Sequence, residues 1–119
     1  MSRISTIEYE GASILLIDWS ELQLEGIKEV MDEARAIIHS SPPLSVLALS
    51  DFTFTHYDKA TADMLSDYAA SNKPYMKASA LVGITGMKKI LYNVVARISG
   101  RNFSLHDTRE EAMKWLASQ

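Results

Sequence analysis

The stretch that most constrains this chain covers residues 78–107, where an apolar run, a glycine turn, an amphipathic segment, a second glycine and an alternating segment follow in order. Ala80, Leu81 and Val82 form the run that stops at Gly83. Thr85 and Gly86 then open a segment whose apolar residues fall at Met87, Ile90, Leu91, Val94, Val95 and Ile98. Steps of three and four residues are helical. Gly100 follows the last periodic residue, where a left-handed cap costs little, and Phe103 and Leu105 then alternate with polar neighbours as strand residues do. One β-α-β crossover is thereby spelled out, and the class is α/β.

The remainder extends that unit. Residues 4–10 read as a first strand, with Gly11 and Ala12 turning into a second at 14–17, a hairpin at a sheet edge. Ser20 and Gln23 have the spacing of a capping box, and the helix they open shows Leu24, Ile27, Val30, Met31, Ala34, Ile37 and Ile38 along one face. Its other face carries Glu25, Glu29, Asp32 and Glu33. Pro42 and Pro43 end it, and residues 44–49 make a third strand of buried type. A second helix is predicted over 60–71, with Met64, Leu65, Tyr68 and Ala69 inward, before a strand at 76–82. Thr108 and Glu111 have capping-box spacing ahead of a short final helix that docks through Trp115. The predicted order is β-β-α-β-α-β-α-β-α, a mixed sheet of about five strands in a single domain spanning 1–119.

Composition narrows the function classes. The 119 residues suffice for one core, and cysteine is absent, which excludes disulfides, thiolate zinc sites and cysteine nucleophiles. No apolar run approaches the ~20 residues of a membrane span, and the first residues lack a signal-peptide pattern, so a cytoplasmic protein is expected. The net charge of −3 argues against nucleic acid as a partner, yet it hides an asymmetry. Between Asp67 and Asp107 stand Lys73, Lys77, Lys88, Lys89, Arg97 and Arg101 and no acidic residue. Such a basic third is expected to gather around an anion or an acidic partner, or to face the acidic helix of this chain or of a second copy.

With that order in place, three stretches carry a family resemblance: Ala-Leu-Val-Gly-Ile-Thr-Gly-Met-Lys-Lys-Ile at 80–90, Arg-Ile-Ser-Gly-Arg-Asn-Phe at 97–103, and the ending Phe-Ser-Leu-His-Asp-Thr-Arg-Glu-Glu-Ala-Met-Lys-Trp-Leu at 103–116. The chain resembles the STAS domains, within them the SpoIIAA-like branch, whose fold is shared with CRAL-TRIO-type lipid carriers. The resemblance implies a bacterial module that binds other proteins. STAS anti-sigma-factor antagonists carry an Asp-Ser-Ser-Gly turn after the third strand, whose serine is phosphorylated by a partner kinase. Here the corresponding stretch reads Thr55-His56-Tyr57-Asp58, with neither serine nor glycine. Thr53 and Thr55 are the hydroxyls left to take a phosphate there.

Two stretches are candidate sites. Asp51, Phe54, Thr55, His56 and Tyr57 lie on an aromatic loop after the third strand, at the end of a parallel strand where open α/β sheets bind. Phe52 and Phe54 either continue the inward face into the core or join His56 and Tyr57 as an exposed contact. Gly83, Thr85, Gly86, Lys88 and Lys89 join a strand end to a helix start, which suits an anion; equally, the glycines serve packing and Thr85 caps the helix. No catalytic constellation, cofactor motif or metal-ligand spacing stands out; His39, His56 and His106 fall on separate elements. The chain therefore reads as a non-enzymatic STAS-like module that binds another protein or its own copy as a homodimer. The alternative is a carrier or sensor of a small anionic or lipid-like ligand at 83–89.

Overall fold

Glu10 and Gly11 both take positive φ, 47° and 83°, the geometry of a two-residue hairpin turn whose twist matches that of its strands. They join β1 (Ile4–Tyr9) to β2 (Ala12–Asp18), antiparallel, with Tyr9 opposite Ala12. The computed structural model describes residues 2–119. Beyond the hairpin come α1 (Leu24–His39), β3 (Val46–Asp51), α2 (Lys59–Asn72), a 3-10 turn at Lys73–Tyr75, β4 (Met76–Val82), α3 (Lys88–Ser99), β5 (Ser104–His106) and α4 (Arg109–Ala117). The sheet order is β1-β2-β3-β4-β5, with the pairs from β2 to β5 parallel. The mixed five-stranded sheet and the element order are those the hydrophobic pattern predicts.

Strand alternation splits the interior into two cores. Ile17, Ala48, Phe52 and Leu81 point to the face covered by α1, α2 and α3, whose Ile27, Ala34, Leu65 and Val95 pack with them. Ile14, Leu49, Ala80 and Val82 point the other way, onto Ala112 and Leu116 of α4. Three crossovers that advance in one direction across the sheet, each right-handed, put three helices on one face. Only α4, which follows the last strand, is free to cover the other. It docks through Ala112 and Leu116, both fully buried, while Trp115 is only partly buried against them.

Three local expectations are corrected. Ser20 and Gln23 make no capping box: Gln23 is the N-cap and has no side-chain bond. The chain from Trp19 to Glu21 stays beside the end of β3, Trp19 N donating to Asp51 O at 2.9 Å and Glu21 N to Thr53 O at 3.0 Å, and this holds Ser20 away from the helix. Thr85 does not cap α3 either; Met87 occupies that position without a side-chain bond. On α3 the apolar residues divide into two stripes, so Val95 is buried while Met87, Ile90 and Ile98 face outward. Gly100 does close the helix in the left-handed conformation, with φ 68°.

Candidate functional site

The carboxyl ends of β2 and β3 bring two aspartates side by side, Asp18 opposite Asp51. Two carboxylates so placed repel unless cations or donors sit between them. Arg109, from the first turn of α4, supplies one bridge, donating from Nε to Asp51 Oδ2 at 2.8 Å and lying 3.5 Å from Asp18. The Thr53 amide and hydroxyl donate to Asp51 Oδ1 at 2.9 and 2.6 Å. Burial pushes the Asp51 carboxyl up, but the Thr53 bonds and the Arg109 charge outweigh it and hold the group below its usual range. Asp51 is thus a buried, fully partnered anchor of the loop rather than a contact residue.

The rest of that loop divides by direction. Phe52 is buried and stacks on Trp19 with ring centroids 5.3 Å apart. Tyr57 also turns inward, edge-on to Phe52, and burial pushes its hydroxyl up to about 12. Thr55 is buried and donates to Trp19 O at 2.7 Å, so its hydroxyl is not presented to a kinase. His56 stays half-exposed and pairs with Asp58 at 2.7 Å. Asp58 caps α2 by accepting from Thr61 N, and that bond, then His56, lowers its carboxyl to about 2. Phe54 alone of the aromatics points to solvent, 80% exposed and at φ 56°, a left-handed conformation uncommon for a bulky residue.

The two predicted stretches meet in one cleft of about 490 Å³ at the carboxyl ends of β3, β4 and β5. Thr53 and Phe54 contribute from the loop, and Gly83, Thr85, Lys88 and Lys89 from the start of α3. Leu105 and His106 of β5 line it too. Asp51, Thr55, His56, Tyr57 and Gly86 do not line this cleft. The helix start is a poor anion cradle, because the amides of Lys88, Lys89 and Ile90 already donate to Thr85, Gly86 and Met87 carbonyls at 3.1–3.2 Å. The Lys88 ammonium is likewise engaged, 2.7 Å from Phe52 O, and burial lowers its pKa against the opposing pull of Asp51. The cleft is mixed in character: Phe54, Ile84 and Leu105 stand among Thr53, Thr85, Lys88, Lys89, His106 and Asp107, and Met87 (78% exposed) and Ile90 (59%) are further exposed apolar residues at the start of α3.

The basic third is not gathered in one place. Lys88 and Lys89 stand at the cleft, whereas Lys73, Lys77 and Arg101 line an open groove of about 270 Å³ at the opposite end of β4. Arg101 is buried there, only 9% exposed, and donates to Ala69 O at 3.4 Å and to Ser79 Oγ. Its guanidinium lies over the Phe103 ring, 4.6 Å from the centroid. Behind it, between the sheet and α2 and α3, is an apolar cavity of about 50 Å³ lined by Ala48, Leu65, Ala69, Leu81, Tyr92 and Val95. Nothing in the sequence marks Arg101 as buried; it reads as a polar residue of a glycine-bounded turn, and only the return of the chain into β5 carries it under α2.

No family model matches the chain and no curated protein matches it. Among solved structures, an uncharacterized protein of the DUF3478 family from Shewanella loihica PV-4, described as having a SpoIIAA-like fold, superposes with a TM-score of 0.71. The two share 15% identity over 95% of this chain and 91% of that one. The fold is SpoIIAA-like. In this SpoIIAA-like frame the turn after β3 holds Thr55 inward and Asp58 as a helix cap.

Proposed function

We propose that this protein is a non-enzymatic interaction module whose contact surface is the rim of the cleft at the carboxyl ends of β3 to β5. The observation that carries the reading is Phe54, held at positive φ with four-fifths of its surface in water. Strain and apolar exposure together are costly unless a partner uses them. Leu105 shares the cleft wall with Phe54, and the charged residues beside them, Lys89 and Asp107, favour a protein segment that sets polar groups around one apolar side chain. The loop's titratable groups support binding over chemistry, since Asp51, His56 and Asp58 each hold a structural bond.

The test is site-directed photo-crosslinking in the native host, with the photoreactive side chain at Phe54 and, as control, at Ile37, an exposed apolar residue in ordinary helical backbone near the end of α1. A discrete adduct from position 54 alone supports the surface. Equal labelling at both positions, or none at 54, removes it. Light scattering of the purified protein tells a second copy from a different partner, because a homodimer built on this rim becomes a monomer in Phe54→Asp.

A second reading, a carrier of a small anionic or lipid-like ligand, is favoured by the buried Arg101 at an apolar cavity rather than by the α3 start, whose donors are engaged.

A further inference from the structure

Arg101 is a buried cation with no anion. Among the described residues no carboxylate pairs with it, and its recorded acceptors are one carbonyl and one hydroxyl. A guanidinium has five N–H donors, so three have no protein acceptor; the Phe103 ring covers one face of the group, and its edge is reached from the open groove rather than sealed inside. Burying such a charge on neutral groups is unfavourable, and an anion seated at the free edge of the fork relieves it. Arg101, Ser79 and Met76 line both the outer groove and the inner cavity, which makes them the neck between a basic mouth, with Lys73 and Lys77, and an apolar interior.

We infer that this neck binds a small aliphatic monocarboxylate, its carboxylate on the Arg101 guanidinium and its tail in the cavity beneath α2 and α3. The inference rests on the carrier reading and is independent of the Phe54 surface. Shape selects the class. The planar fork of arginine matches a carboxylate in two parallel hydrogen bonds. A cavity of about 150 Å³ holds a benzene ring, so the 50 Å³ here takes about two or three carbons of a tail, the size of butyrate. The mouth supplies attraction, since Lys73 and Lys77 raise the local concentration of anions. Burial lowers Arg101 to about 10, which leaves it charged at neutral pH.

The experiment is isothermal titration of refolded, ligand-free protein with sodium butyrate, sodium octanoate and butyramide. Butyrate is expected to saturate one site, with butyramide weaker by about tenfold or more. Arg101→Gln is expected to lose butyrate to the same degree. Ala69→Val keeps the guanidinium but fills the cavity, and should lose binding while its circular dichroism spectrum is unchanged. If octanoate binds more tightly than butyrate and still requires Arg101, the source is a longer acyl chain reaching from cavity to groove; if butyrate binds more tightly, it is a free short acid. Absence of saturable carboxylate binding, or affinity unchanged in Arg101→Gln, overturns the site. Should Arg101→Gln fail to fold, Arg101→Lys keeps the charge without the fork, and wild-type affinity in both it and Ala69→Val overturns the site equally. A host-derived species found by native mass spectrometry that no carboxylate displaces would keep the carrier reading and remove this neck.

Discussion

Gly83 and Gly86 look alike in sequence and are unlike in structure. Gly83 takes φ 86° where the β4 end passes the β3 end, and a Cβ there would meet Thr53 N at 2.5 Å and Thr53 Cα at 2.8 Å. Gly86 takes φ 58° with nothing within 4 Å. Gly83→Ala should therefore destabilise by about 3 kcal/mol or more, because backbone rather than a side-chain tip must shift; Gly86→Ala should cost about 1 kcal/mol, the left-handed penalty alone. Equal denaturant midpoints for the two variants would contradict this difference. The loop carboxylates give the second residue-scale expectation. Asp51 and Asp58 both titrate below their ordinary range in the folded chain, Asp58 at about 2. As pH falls the unfolded chain takes up the protons first, so the stability they contribute is complete above the unfolded carboxylate pKa of about 4 and is lost toward pH 2. Asp51→Asn should be less stable at pH 7 and show a shallower acid limb in pH-dependent denaturation. A limb identical to wild type would place the acid sensitivity elsewhere.

Among the elements, α3 is where pattern and packing part. Its 3.6-residue periodicity is real, and Lys88–Ser99 with a left-handed Gly100 is legible from spacing alone. Periodicity places a residue on a helix, however, and does not say which of two apolar stripes the sheet will cover. Met87, Ile90 and Ile98 read as core and are exposed, while Val95 is buried. A similar limit explains Ser20 and Gln23, whose capping-box spacing is overridden by bonds from 19–21 to the β3 end; at Thr108 no such competitor exists, and its hydroxyl accepts from Glu111 N at 3.1 Å, one half of the predicted box, while the Glu111 carboxylate makes no return bond to Thr108 N. Two substitutions separate the stripes of α3. Val95→Ala removes buried methyl groups and should cost about 2 kcal/mol. Ile98→Lys, on the outer stripe, should stay within about 0.5 kcal/mol of wild type. Thermal unfolding that ranked them in the reverse order would mean that α3 is rotated from its described orientation.

At the scale of the molecule, the two proposed sites lie at opposite ends of the parallel part of the sheet. The strand ends at Asp51, Val82 and His106 carry the Phe54 cleft; the beginning of β4 and the approach to β5 carry the Arg101 neck. A seven-residue strand separates them by roughly 20 Å. The sequence pattern makes the first end readable, since aromatics follow a strand that must end there. It leaves the second unread, because Lys73, Lys77 and Arg101 lie up to 28 positions apart and converge only through the crossover of α3. Charge follows the same division, and this sets opposite expectations for two charge reversals. Lys89→Glu, at the cleft, should leave carboxylate binding unchanged, because it lies beyond a Debye length of about 8 Å at physiological salt from the neck. Lys73→Glu, in the groove, should weaken carboxylate binding and flatten its salt dependence. Titrations of both variants at low and physiological salt measure the pair. If Lys89→Glu were the one that weakened binding, the ligand would sit at the α3 start after all, despite the engaged amides there, and the two ends of the sheet would have to exchange their proposed roles.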